Sequence, residues 1–130
     1  MGMSKKYTVL IVDDDKFLLG MYRKKFEHEG ATVDVALGAE EALGKLRGGA
    51  KPDILILDII MPNIDGLELL TTIRKEKLVP EASVIMLTNE SNPEKIAEAK
   101  KLGIKGYLVK ATLIPSEVVE EALKIANLKT

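Results

Sequence analysis

The stretch Ile54-Leu55-Ile56-Leu57-Asp58-Ile59-Ile60-Met61-Pro62-Asn63-Ile64-Asp65-Gly66 decides the fold. It opens as an unbroken apolar run and meets a carboxylate at Asp58. Pro52-Asp53 and Met61-Pro62 bound the run at strand length, which suits a strand buried on both faces. Such strands belong to parallel sheets covered by helices, and their ligands bind beyond the strands' carboxyl ends. Asp58 stands at that end. Taken alone, it reads as a polar residue that merely terminates a strand.

Upstream, Tyr7-Thr8-Val9-Leu10-Ile11-Val12 is a second strand of this kind, and it too ends on carboxylates, Asp13, Asp14 and Asp15. One or two aspartates there need no explanation beyond capping the next helix; three exceed what a cap requires. Leu18, Met21, Tyr22 and Phe26 then recur at helical spacing up to the stop signal at Gly30. Ala31–Ala36 alternates, as a shorter strand near a sheet edge does, and Ala39–Leu46 is a short helix closed by Arg47-Gly48-Gly49.

Downstream, a helix starts at Asp65-Gly66 and runs to about Lys77. Ser83–Leu87 is a strand ending on Thr88, and Asn92-Pro93 caps a helix reaching Leu102-Gly103. Gly106–Val109 is a strand ending on Lys110, and Pro115 opens a last helix, Ser116 to about Asn127. Five strand–helix units in strict alternation predict an α/β domain with a parallel sheet and helices on both faces.

Length and composition agree. The 130 residues suit one domain, read as residues 7–128 behind a flexible lead-in of residues 1–6. Lys plus Arg (19) nearly balances Asp plus Glu (20), so no overall field favours nucleic acid or an anionic membrane. The absence of cysteine excludes disulfides, thiolate metal sites and a cysteine nucleophile, and fits a cytoplasmic location. No stretch approaches the roughly 18 apolar residues of a membrane span. The first residues lack a signal-peptide core, and Lys6 breaks the myristoylation pattern. His28, Lys5-Lys6 and Lys100-Lys101 read as solvated surface.

In a parallel sheet the strand ends share one edge, so Asp13, Asp14, Asp15, Asp58, Thr88 and Lys110 converge on one cleft. Packed carboxylates repel, and some must take up protons or hold a cation. Oxygen donors without histidine or cysteine point to a hard ion, Mg²⁺ first and Mn²⁺ as the alternative. A carboxylate nucleophile beside such an ion, an ammonium and a hydroxyl is equipped to accept a phosphoryl group.

The same residues carry a resemblance. Asp13-Asp14, Asp58 with Met61-Pro62 and Asp65-Gly66 behind it, Thr88 and Lys110 resemble the receiver domain of two-component response regulators, of the stand-alone kind found in chemotaxis and sporulation relays. The resemblance spans about Tyr7 to Leu128. It implies a flavodoxin-like (βα)5 fold with strand order 2-1-3-4-5. It implies that Asp58 accepts phosphate from a sensor histidine kinase or a histidine phosphotransfer protein. Mg²⁺ would sit on Asp14, Asp58 and the Ile60 backbone carbonyl, with Asp13 acting through water. Thr88 and Tyr107 would form a switch pair, and Ile60, Asn89 and Glu90 would border the path of a hydrolytic water.

Such a protein is not a dedicated enzyme. It catalyses its own phosphotransfer and a slow autodephosphorylation. Its output passes to a downstream protein, or to a homodimer, through the face of the fourth helix, fifth strand and fifth helix. Three residues depart from the family pattern: Ala111 where proline usually follows the lysine, Asn89 where a small residue usually follows the threonine, and Asp15 as an extra acid. Ala111 predicts a different loop path before Pro115.

Three rival readings are distinguishable. A flavodoxin needs a hydroxyl- and glycine-rich phosphate loop where Asp13-Asp14-Asp15-Lys16 stands. An aspartate-nucleophile phosphatase would use Asp13 and Asp15 instead of Asp58. An adaptor that no longer takes phosphate would not keep Asp13, Asp14, Asp58, Thr88 and Lys110 together.

Overall fold

The computed structural model describes residues 7–127; the lead-in at residues 1–6 and Leu128 lie outside the described residues. Five strands, β1 (Thr8–Asp13), β2 (Thr32–Leu37), β3 (Ile54–Leu57), β4 (Ser83–Thr88) and β5 (Gly106–Val109), alternate with five helices. These are α1 (Lys16–His28), α2 (Ala39–Arg47), α3 (Gly66–Lys75), α4 (Pro93–Lys101) and α5 (Pro115–Ile125). All strand pairs are parallel, and their order is β2-β1-β3-β4-β5. The expected flavodoxin-like topology is therefore present, with β3 at its centre and β2 at one edge.

Side-chain alternation divides the core in two. Val9 and Ile11 of β1, Ile54 and Ile56 of β3, and Ile85 and Leu87 of β4 pack with Leu19, Tyr22 and Phe26 of α1 and Val118 and Ala122 of α5. The alternate residues Leu10, Val12, Leu55, Leu57, Val84 and Met86 pack with Leu43, Leu46, Leu69, Leu70 and Ile73 on the other face. The continuous apolar runs follow from this: both faces of the inner strands are covered, so neither set of alternate positions tolerates a polar residue.

Local chemistry sets the helix ends. Asp15 caps α1 by accepting the Leu18 amide, and Asp65 forms a capping box with Glu68 at the start of α3. Several boundaries shift by a residue or two from expectation, among them the end of α5, at Ile125 instead of Asn127. Helix α3 ends at Lys75, not Lys77, because Lys77 adopts a left-handed φ of 55°. Helix α5 takes in Pro115 at its first turn, where a missing amide hydrogen costs nothing.

Between β5 and α5 a 3₁₀ turn spans Lys110–Thr112, and no cis peptide bond occurs among the described residues. The loop before Pro115 is thus built on a short turn that includes Ala111.

Candidate functional site

Asp13 ends β1, Asp58 follows β3 directly, and Lys110 follows β5, so three separate strands deliver these groups to one edge. The Lys110 ammonium lies 2.6 Å from Asp13 Oδ2 and 2.6 Å from Asp58 Oδ2. Both carboxylates are buried. Asp58 Oδ1 accepts the Ile60 amide at 3.1 Å, and Asp13 Oδ1 accepts the Asp15 amide at 2.9 Å. Each engaged oxygen keeps a second lone pair, so neither carboxylate is used up by these bonds.

Gly66 explains why the loop behind Asp58 closes so tightly. A side chain there would collide with the Asp58 carbonyl oxygen, and the Gly66 amide instead donates to Ile59 O at 2.9 Å. The start of α3 is thereby drawn up against the peptide that carries Asp58.

Electrostatics within the cleft are asymmetric. Burial pushes the Asp13 carboxyl above its usual range, the hydrogen bonds from Lys110 and Asp15 only partly oppose this, and the Asp58 charge adds to the rise. Burial pulls the Lys110 ammonium down, but hydrogen bonds and charge from Asp13 and Asp58 outweigh it and hold the ammonium above the ordinary lysine value. One cation thus serves two buried carboxylates, and Asp14 adds a third at the solvent side.

Asp13, Asp14 and Asp58 each offer a carboxylate oxygen within 4.8 Å of the others. Mg²⁺ bonds of about 2.0–2.1 Å place opposite ligand oxygens roughly 4.2 Å apart, so small side-chain adjustments would bring these oxygens into one shell. The donor set, all oxygen with one exposed member, fits a divalent metal site. Asp15 stays outside this group, since its carboxylate caps α1.

Thr88 is fully buried at the end of β4, and its hydroxyl accepts the Glu90 amide at 3.2 Å. Tyr107 is half-buried against the α2–α4 side of the core and donates its hydroxyl to Glu90 O at 2.6 Å. The residues expected as a switch pair therefore hold the same loop residue from two sides.

Ile60 is exposed beside Asp58. The Glu90 carboxylate is directed at its own loop, accepting the Ser91 and Asn92 amides and pairing with Lys95. Asn89 Oδ1 accepts the Ala111 amide at 2.7 Å. Sequence reasoning singled out Asn89 and Ala111 separately and missed that they touch. The signal was their placement, each one residue beyond a cleft residue on neighbouring strands. It also missed Tyr22 of α1, whose buried phenol lies within electrostatic reach of Lys110, Asp13 and Asp58. His28, Lys100 and Lys101 are exposed surface as expected.

A doubly wound sheet with an acidic, cation-ready cleft and a half-buried lysine at its carboxyl edge defines the class of phosphoacceptor signalling domains. The chain matches the response regulator receiver domain over residues 9–122 and belongs to that family. A receiver is a signalling domain rather than an enzyme.

Similar solved structures agree. A CheY-like receiver domain protein from Methanospirillum hungatei has a TM-score of 0.85 at 28% identity, covering 95% of each chain. Vibrio cholerae chemotaxis protein CheY4 has a TM-score of 0.83 at 30% identity, covering 93% of this chain and 99% of that one. Among curated relatives, the probable transcriptional regulator ycf29 of Porphyra purpurea is 33% identical over 95% of this chain, and ResD of Bacillus subtilis is 32% identical over 92%. The chain spans 62% and 48% of those two relatives' own lengths. No helix among the described residues is long and apolar enough to cross a membrane.

Proposed function

We propose that Asp58 is the phosphoacceptor, served by Mg²⁺ or Mn²⁺ and donated to by a sensor histidine kinase or a histidine phosphotransfer protein in the cytoplasm. The observation that carries this reading is the bridge of Lys110 across Asp13 and Asp58, with Asp14 in reach. An Asp58 oxygen attacks phosphorus as the bond to the donor's imidazole nitrogen breaks, leaving an acyl phosphate and a neutral histidine after proton uptake. Lys110 turns its ammonium from the Asp58 carboxylate to the transferred oxygens. Thr88, whose oxygen already accepts the Glu90 amide, has its hydroxyl proton to donate to the same group. Asp14, Asp58, the Ile60 carbonyl and, through water, Asp13 would hold the ion, which supplies charge to offset the phosphoryl oxygens.

The output runs through Glu90. Thr88 and Tyr107 both bond to it, so drawing Thr88 toward a phosphoryl group breaks one of two anchors on the loop before α4. Helix α4 suits a movable element, since Ala99 is its one fully buried residue. On the face formed by α4, β5 and α5, Glu117, Glu120 and Glu121 of α5 line a groove together with Tyr107, Leu108 and Val109 of β5. That acidic groove supports recognition of a downstream protein or of a second copy through this face. Nothing on it favours nucleic acid.

Acetyl phosphate with Mg²⁺ provides the test. Intact mass should show one added phosphoryl group on the wild type and none on Asp58→Ala. Equal labelling of the variant would remove Asp58 from the role.

A further inference from the structure

Thr88 ends β4 and Lys110 follows the neighbouring strand β5, and the ladder between these strands closes on the pair Thr88 and Val109. Immediately beyond it, Asn89 Oδ1 accepts the Ala111 amide at 2.7 Å. A side chain thus adds one more rung after the backbone ladder stops. The rung has a task, because the 3₁₀ turn carrying Lys110 is weakly closed: its Leu113 N to Lys110 O bond is 3.4 Å. On the other strand, Glu90 is tied to Thr88 and Tyr107. Asn89 therefore joins a loop held from two sides to a turn whose backbone closure is weak and whose own side-chain bond, Thr112 Oγ1 to Val109 O at 3.0 Å, leaves the Ala111 amide unengaged. An N–H donor demands an oxygen, so the orientation of the Asn89 amide follows from its partner.

We infer that Asn89 is a positioning residue for phosphoryl transfer. Its bond to the Ala111 amide keeps the Lys110 peptide in register with Thr88, so that the ammonium and the hydroxyl reach the same phosphoryl group together. Asn89 acts through Lys110 and Thr88. The inference rests on Asp58 being the phosphoacceptor. Transfer of this kind depends chiefly on placement, and an ammonium on a loosened turn spends less time where charge develops.

Two substitutions remove the bond from opposite ends. Asn89→Ala deletes the acceptor, and Ala111→Pro deletes the amide hydrogen. With acetyl phosphate and Mg²⁺, each single variant should label Asp58 about 3- to 10-fold more slowly, the range of one hydrogen bond. The double variant should lose no more than either single one, and Ala111→Ser, which keeps the N–H, should restore the rate. Unchanged single rates, or a double loss equal to the product of the singles, would overturn the inference. Amide exchange at Ala111, followed by NMR in the wild type and Asn89→Ala, tests the bond without relying on Ala111→Pro folding. Protection should fall by at least several-fold in the variant, and equal protection would also overturn the inference. A wild type that takes no label at Asp58 would overturn the acceptor assignment instead, while the exchange measurement still reports on the bond.

Discussion

Lys110 and Asp58, 52 residues apart in the chain, meet at 2.6 Å with the half-buried ammonium against the carboxylate. The same ammonium meets Asp13 at 2.6 Å, so removing it would leave two buried carboxylates facing each other. Breaking a buried ion pair from one side costs about 3–5 kcal/mol. Lys110→Met should therefore destabilise the metal-free protein by roughly that amount, and added Mg²⁺ should recover part of the loss. Urea denaturation with and without Mg²⁺ checks both; a variant as stable as the wild type would mean that the pair contributes little net.

Mg²⁺ should also stabilise the wild type. A ligand held only by the folded state adds about 2.7 kcal/mol at 100 times its dissociation constant. Asp14 is the exposed member of the acidic group, so Asp14→Ala should fold normally yet respond much less. Identical shifts of the denaturation midpoint in the two proteins would remove Asp14 from the metal site.

At Gly66 the expected effect comes from crowding. A methyl group there would overlap the Asp58 carbonyl oxygen, which belongs to backbone and cannot rotate away. Gly66→Ala should cost about 1–3 kcal/mol, the usual range for overpacking. It should also slow labelling of Asp58 by acetyl phosphate, because relief must displace the peptide carrying the acceptor. A lowered denaturation midpoint with an unchanged labelling rate would show that the strain relaxes toward α3 instead.

The three tyrosines make a prediction about alkaline pH. Burial raises the phenols of Tyr7, Tyr22 and Tyr107 above the ordinary value, with nearby carboxylates adding to it in each case and the Lys110 charge opposing it only in part at Tyr22. The folded state then holds these protons more tightly than the unfolded chain. This contribution to stability is fully present below the unfolded value of about pH 10 and is lost as pH rises through the folded values. Phenolate absorbance should appear at higher pH in the native protein than in denaturant, and stability should fall above about pH 10. Coincident titration curves would refute the shifts.

Signal lifetime depends on water reaching phosphorus opposite the Asp58 oxygen. Ile60 is 54% exposed beside Asp58 and offers no group to orient a water. Glu90 turns its carboxylate to Ser91, Asn92 and Lys95. The expected outcome is slow autodephosphorylation, and Ile60→Asn should shorten the half-life several-fold, within the roughly 10²-fold that placement of a reactant is worth. Loss of label after removal of the donor measures it; an unchanged half-life would show that Ile60 does not gate the water.

Much of this was legible in the chain. Strand identity follows from apolar runs such as Ile54–Leu57, because only a strand covered on both faces excludes polar residues from two successive parities. The convergence of Asp13, Asp58, Thr88 and Lys110 follows from parallel alternation, which puts every strand end on one edge. Tertiary structure alone decided how these groups share charge. That one ammonium bridges Asp13 and Asp58, that Glu90 is held by both Thr88 and Tyr107, and that Asn89 bonds Ala111 depend on side-chain reach across loops. Local propensity encodes where a strand ends. Contacts between residues 22 or 52 positions apart arise only when the sheet brings those ends together.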